Sequence, residues 1–62
     1  MKLNGAEIEF IGSVAELVEL FNVPSRGSAV AINGDIIPRS LWMSTMVKES
    51  DNVEIVTAAA GG

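Results

Sequence analysis

Two Asn-Gly dipeptides, Asn4-Gly5 and Asn33-Gly34, set the frame within which this chain can fold. A type I′ turn needs positive φ at both central residues, which Asn and Gly tolerate, so each dipeptide predicts a hairpin. The first turn pairs Leu3 with Ala6 and Met1 with Ile8. That register puts Met1, Leu3, Ala6, Ile8 and Phe10 on one face and Lys2, Glu7 and Glu9 on the other, so polarity and register agree. The second turn joins residues 29–32 to a short strand at 35–39. Four successive apolar residues (Ala29, Val30, Ala31, Ile32) predict a strand covered at least in part on both faces. Pro38 has no N–H to give a ladder and marks an edge or a strand end. Residues 53–57 read as a closing strand with Val53 and Ile55 on one face.

Between the hairpins lies one helix. Ser13 and Glu16 have the spacing of a capping box, and Val14, Leu17, Val18 and Phe21 form an apolar stripe, with Glu16, Glu19 and Asn22 mostly off it. Pro24 is the expected stop. Residues 40–52 read as irregular, with a helical turn around Leu41 and Trp42 and a second turn at 49–52. Trp42 and Met43 are read as a packed lid over a small core in preference to an interaction patch. The order predicts an α+β fold, a mixed sheet of four to five strands packed on one helix. Neither a repeat nor a linker precedes residue 57. Residues 1–57 form the expected domain and residues 58–62 a flexible C-terminal tail, mobile on fast timescales when no partner holds it.

A domain of 62 residues buries only about 60% of the surface its unfolded chain exposes. Small domains often compensate with disulfides or metal, but the sequence has no cysteine and no histidine. Stability must come from packing. The same absence rules out Ser-His-Asp and Cys-His catalysis. Four basic residues face eight acidic ones, a net charge of −4, with no basic stripe to displace counterions from nucleic acid. A partner with a basic surface fits better. No apolar run reaches the roughly 20 residues that span a bilayer, and Met1-Lys2-Leu3 leads into Asn-Gly and not a signal-peptide core. A soluble, cytoplasmic protein is the expectation.

Side-chain chemistry is equally sparse. Glu7 and Glu9 share a strand face that reads as solvated, and Glu49 and Asp51 lack the spacing of a calcium loop. The single glycines of "NGD" and "SRG" do not make a phosphate loop. No catalytic residue, metal or stably bound cofactor is expected. What remains is the end of the chain, "TAAAGG". Alanine and glycine carry no bulk beyond Cβ, so such a tail fits a narrow channel in a partner enzyme, with the α-carboxylate of Gly62 unobstructed. A carboxylate is a poor electrophile, and adenylation with ATP by another protein is the natural activation. The acyl-adenylate then accepts sulfur, or a thiol or amine.

The strand pattern, the helix, "AVAINGDIIPRSLW" and the final Gly61-Gly62 resemble the ThiS family, the bacterial sulfur carriers of thiamin biosynthesis. The resemblance spans nearly the whole chain. Its specific parts are Ala31-Ile32-Asn33, the Pro38-Arg39 pair with Trp42 three residues on, and the diglycine. It implies a ubiquitin-like β-grasp fold and a carrier that is not itself an enzyme. It further implies that Gly62 is adenylated by an E1-like, ThiF-like enzyme using ATP, with Gly61 as its companion in tail recognition. Sulfur then comes from a cysteine desulfurase or another donor, and a ThiG-like thiazole synthase consumes the thiocarboxylate. Small subunits of molybdopterin synthase and ubiquitin-like modifiers or interaction modules share the terminal diglycine and stand as alternatives. The molybdopterin subunits are usually longer, with prolines in the tail that are absent here.

Overall fold

The computed structural model describes residues 1–24 and 26–57. Among these residues, seven strands and one α-helix follow in order: β1 (Lys2–Leu3), β2 (Ala6–Glu7), β3 (Gly12–Ser13), α1 (Val14–Leu20), β4 (Ser28–Ile32), β5 (Asp35–Ile37), β6 (Met46–Val47) and β7 (Asn52–Thr57). A 3₁₀ turn at Arg39–Leu41 lies between β5 and β6. Five strands form one sheet in the order β2-β1-β7-β4-β5. Only β1 and β7 run parallel, so the sheet is mixed. With one helix against it, this is the expected β-grasp arrangement.

Both Asn-Gly turns take the backbone that their sequence predicts. Asn4 and Gly5 have φ of 50° and 87°, Asn33 and Gly34 of 52° and 89°. Leu3 pairs with Ala6 and Ile32 with Asp35. The ladder at the first hairpin continues as Ile8 donates its N–H to the Met1 carbonyl at 2.9 Å. Lys2, Glu7 and Glu9 are exposed while Met1 is buried. Ala6, on the core-facing side of an edge strand, stays exposed.

The helix begins at its capping box: Ser13 Oγ accepts from the Glu16 N–H at 3.1 Å, and Glu16 Oε1 accepts from the Ser13 N–H at 2.8 Å. It ends earlier than Pro24 would require. Asn22 turns into the left-handed region with φ 54°, its N–H donating to Glu19 O and the Val23 N–H to Val18 O. That pair of bonds is a Schellman motif, closed by Asn where Gly is commoner. Phe21, expected on the buried stripe, is the C-cap residue and 45% exposed.

Val14, Leu17 and Val18 of the helix meet Val30 of β4 and Val53 of β7, with Met1, Trp42 and Val47 closing the core. Full burial of a Val or Leu side chain stabilises by about 1.5–3 kcal/mol. The alternation along β4 and β7 places Val30, Val53 and Ile55 under the helix, as expected for the closing strand. Along the apolar run at 29–32, Val30 is buried, Ala31 and Ile32 are half-buried and Ala29 is exposed, so cover on the face away from the helix is partial. Residues 40–52 are less irregular than their sequence suggests: Met46–Val47 pairs antiparallel with Gly12–Ser13 in a second, two-stranded sheet.

Candidate functional site

β7 is the strand that leads towards Gly61 and Gly62. Its partner β4 lies alongside through Val30↔Ile55 and Ala29↔Val56 to Ser28↔Thr57. Gly61, Gly62 and the expected tail at 58–62 lie outside the described residues. The site is therefore defined here by its root, the C-terminal end of β7. On the side away from β4, the parallel pairing with β1 covers Lys2↔Asn52 and Leu3↔Val53. Beyond it the Asn4 side chain bonds to the backbone of Ile55 through both its donor and its acceptor.

The sheet face turned away from the helix carries an apolar strip next to this root. Ala29 lies opposite Val56, and Ala31 lies opposite both Ile36 and Glu54. Val56 is 65% and Ile36 72% exposed. Small Ala side chains on β4 leave these two larger residues standing proud of the sheet.

Pro38, Arg39 and Trp42 hold the frame on the other side of the sheet. Pro38 accepts from the Leu41 N–H at 2.8 Å and opens the 3₁₀ turn. Trp42, buried as a lid on the core, donates its indole N–H to the Ile37 carbonyl at 2.9 Å. The Trp42 carbonyl accepts from Ala15 at 3.1 Å and the Thr45 carbonyl from Val14 at 2.9 Å. With Ser13 on Glu16, the first three helical N–H groups thus have partners, which fixes the helix to the segment after β5. Met43, next to Trp42, is exposed.

Of the carboxylates singled out in the sequence, Glu7 and Asp51 have structural partners. Glu7 sits 3.4 Å from the N-terminal ammonium, and Glu9 is exposed. Asp51, buried, accepts from the Asn33 amide at 3.1 Å and from the Lys48 N–H at 2.8 Å. Among the described residues, no three His, Cys, Asp or Glu side chains stand together to hold a metal ion, and no helix is long and apolar enough to cross a membrane. The sequence reading missed the side-chain roles of Asn4, Asn33 and Asp51. Each depends on which strand lies beside the turn, and local sequence carries only the turn itself.

The family model of the ThiS family matches residues 1–62, the whole of the sequence. The chain belongs to the ThiS family. Over 50 residues it is 36% identical to the sulfur carrier protein ThiS of Escherichia coli (strain K12), covering 81% of this chain and 76% of that one. The uncharacterized protein ycf40 of Porphyra purpurea is 34% identical over 50 residues, with 81% and 70% covered. The crystal structure of the thiamine biosynthesis protein ThiS from Geobacter metallireducens superposes with a TM-score of 0.82 at 27% identity, covering 98% of this chain and 96% of the other. Its likeness to this ThiS family member extends over nearly all of both chains, so the β-grasp fold is common to them.

Proposed function

We propose that this ThiS family member is a sulfur carrier, a protein co-substrate and not a catalyst, whose reactive group is the C-terminal carboxylate of Gly62. The observation that carries this reading is the family match across residues 1–62, which takes in Gly61-Gly62 as well as the β-grasp domain. In the first step a carboxylate oxygen of Gly62 attacks the α-phosphorus of ATP on an adenylating, ThiF-like partner, and pyrophosphate leaves. A sulfur nucleophile, drawn from a cysteine desulfurase or another donor, then attacks the acyl carbon and displaces AMP. Where that nucleophile is a persulfide the product is an acyl disulfide, and a thiol then attacks the donor-side sulfur, forming a disulfide with the donor's cysteine and releasing the thiocarboxylate of Gly62. A ThiG-like thiazole synthase takes that sulfur for the thiamin thiazole ring.

The protein contributes position and access to this chemistry. Residues 1–57 act as the handle and residues 58–62 as the tail; Gly61 and Gly62 offer a channel no side chain to exclude. ATP and its magnesium belong to the partner, whose cationic groups stabilise the charge that builds on the phosphates. The apolar strip of Ala29, Ile36 and Val56 beside the tail's root is the surface a partner meets as it draws the tail in. The absence of cysteine fits a carrier whose transferable sulfur is borne at its end, and the cytoplasm is the proposed setting.

Adding one residue after Gly62 tests the assignment. The extended protein is expected to keep its fold, judged by its circular dichroism and urea midpoint, and to lose ATP-dependent sulfur loading. Loading that survives the extension contradicts the assignment. A ladder of isopeptide-linked adducts in cells would favour a conjugated modifier instead.

A further inference from the structure

We infer that Asn4 is a positioning residue for the tail, because its side-chain amide takes the place of a missing strand residue beside Ile55. β1 is only two residues long, and its backbone ladder on β7 ends where the Asn4 N–H donates to the Val53 carbonyl at 2.9 Å. At φ 50° the Asn4 backbone turns away and cannot supply the next rungs. The side chain supplies both. Nδ2 donates to the Ile55 carbonyl at 3.2 Å, and the Ile55 N–H donates to Oδ1 at 2.8 Å. A primary amide thereby makes the two bonds that a continued β1 would make through one carbonyl and the N–H two residues further on.

Ile55 is consequently the last residue of β7 held from both sides. Val56 and Thr57 pair with Ala29 and Ser28 of β4, past the end of the β1 pairing. Seven residues, 56–62, run from that point to the carboxylate of Gly62, a reach of roughly 23–25 Å when extended. In the extended form that a narrow channel requires, about 10° of freedom at the root sweeps the tip through roughly 4 Å. Reaction at a phosphate tolerates far less misplacement than that. Asn4 narrows the root and so raises the fraction of encounters in which the tail is aimed.

The second Asn-Gly turn provides an internal control. Asn33 bonds to Asn52 at the opposite end of β7, its backbone N–H donating to the carbonyl at 2.8 Å and its Oδ1 accepting from the N–H at 3.0 Å. Asn→Gly at either position keeps a residue that accepts positive φ and removes the side-chain bonds. Asn4→Gly loses two side-chain bonds to β7, and Asn33→Gly loses one to Asn52 and one to Asp51, so both variants lose two bonds but only Asn4→Gly frees the end that bears the tail.

The functional half of this inference rests on the sulfur-carrier reading, and the test separates the two. ¹⁵N relaxation on the full chain gives order parameters for the Val56 and Thr57 amides. They are expected to fall in Asn4→Gly and to match the parent in Asn33→Gly. With an adenylating enzyme and ATP, Asn4→Gly is expected to raise KM for the carrier several-fold with kcat little changed, while Asn33→Gly loads as the parent does. Unchanged order at Thr57 in Asn4→Gly overturns the inference, as does an equal rise in KM for both variants, which would mark general destabilisation. Failure of the parent to load overturns the carrier reading, and the relaxation data still decide whether Asn4 positions the strand end.

Discussion

The side-chain amide of Asn33 donates to Oδ1 of Asp51 at 3.1 Å, joining the second Asn-Gly turn to the turn that precedes β7. Asp51 is buried and its other oxygen accepts from the Lys48 N–H, so the pair closes one end of the sheet. Asn33→Asp retains a turn-forming residue but sets two carboxylates against each other where a donor stood. A loss of about 1–3 kcal/mol is expected at neutral pH, with the m-value unchanged. Urea unfolding checks it.

The start of the helix offers a second test. Ser13→Ala removes the acceptor for the Glu16 N–H and is expected to cost about 1 kcal/mol. Glu16→Ala removes the reciprocal bond. Because the two bonds form one box, the double variant is expected to lose less than the sum of the single losses, measured by a double-mutant cycle in urea.

The end of the helix was only half legible in the sequence. Pro24 announced a stop, yet the stop is made two residues earlier by Asn22 at φ 54° with the Val23 N–H on Val18 O. Asn22→Gly is expected to hold or slightly raise stability, and Asn22→Ala to lower it by about 1 kcal/mol through the strain of the left-handed backbone. Thermal melts of the two variants, moving in different directions, check the assignment.

A fourth prediction concerns Gly12, which has φ 153°. A Cβ there would lie 2.8 Å from Glu16 Oε1 and 3.0 Å from the Phe10 ring. Gly12→Ala therefore disturbs the helix cap as well as its own backbone, and a loss of about 2 kcal/mol or more is expected. Adding Glu16→Ala removes one of the two clashes, so the double variant is expected to lose less than the single losses add up to, as measured by urea unfolding.

Signals confined to a few neighbouring residues were readable from the sequence. The Asn-Gly turns, the Ser13–Glu16 box, the Val14-Leu17-Val18 stripe and the end of β5 before Pro38 all stand where local chemistry put them. Contacts between distant segments were not readable. The pairing of Gly12–Ser13 with Met46–Val47 involves two residues a side, too few for any alternation to show. The Asn4 bonds to Ile55 and the Asn33 bond to Asp51 span 51 and 18 residues, and only the folded sheet brings them together. The reading of the tail rests on elimination and on the resemblance, and Gly61 and Gly62 lie outside the described residues.

The most direct measurement is the intact mass of the protein after incubation with an adenylating enzyme, ATP and a sulfur source, followed by fragmentation to place any change. Exchange of oxygen for sulfur adds about 16 mass units, nearly the same as oxidation of one methionine, so the change must be located on Gly62 and not on Met1, Met43 or Met46. The account predicts an ATP-dependent gain on Gly62. No gain there with ThiF-like enzymes that load another ThiS protein in the same assay would contradict it.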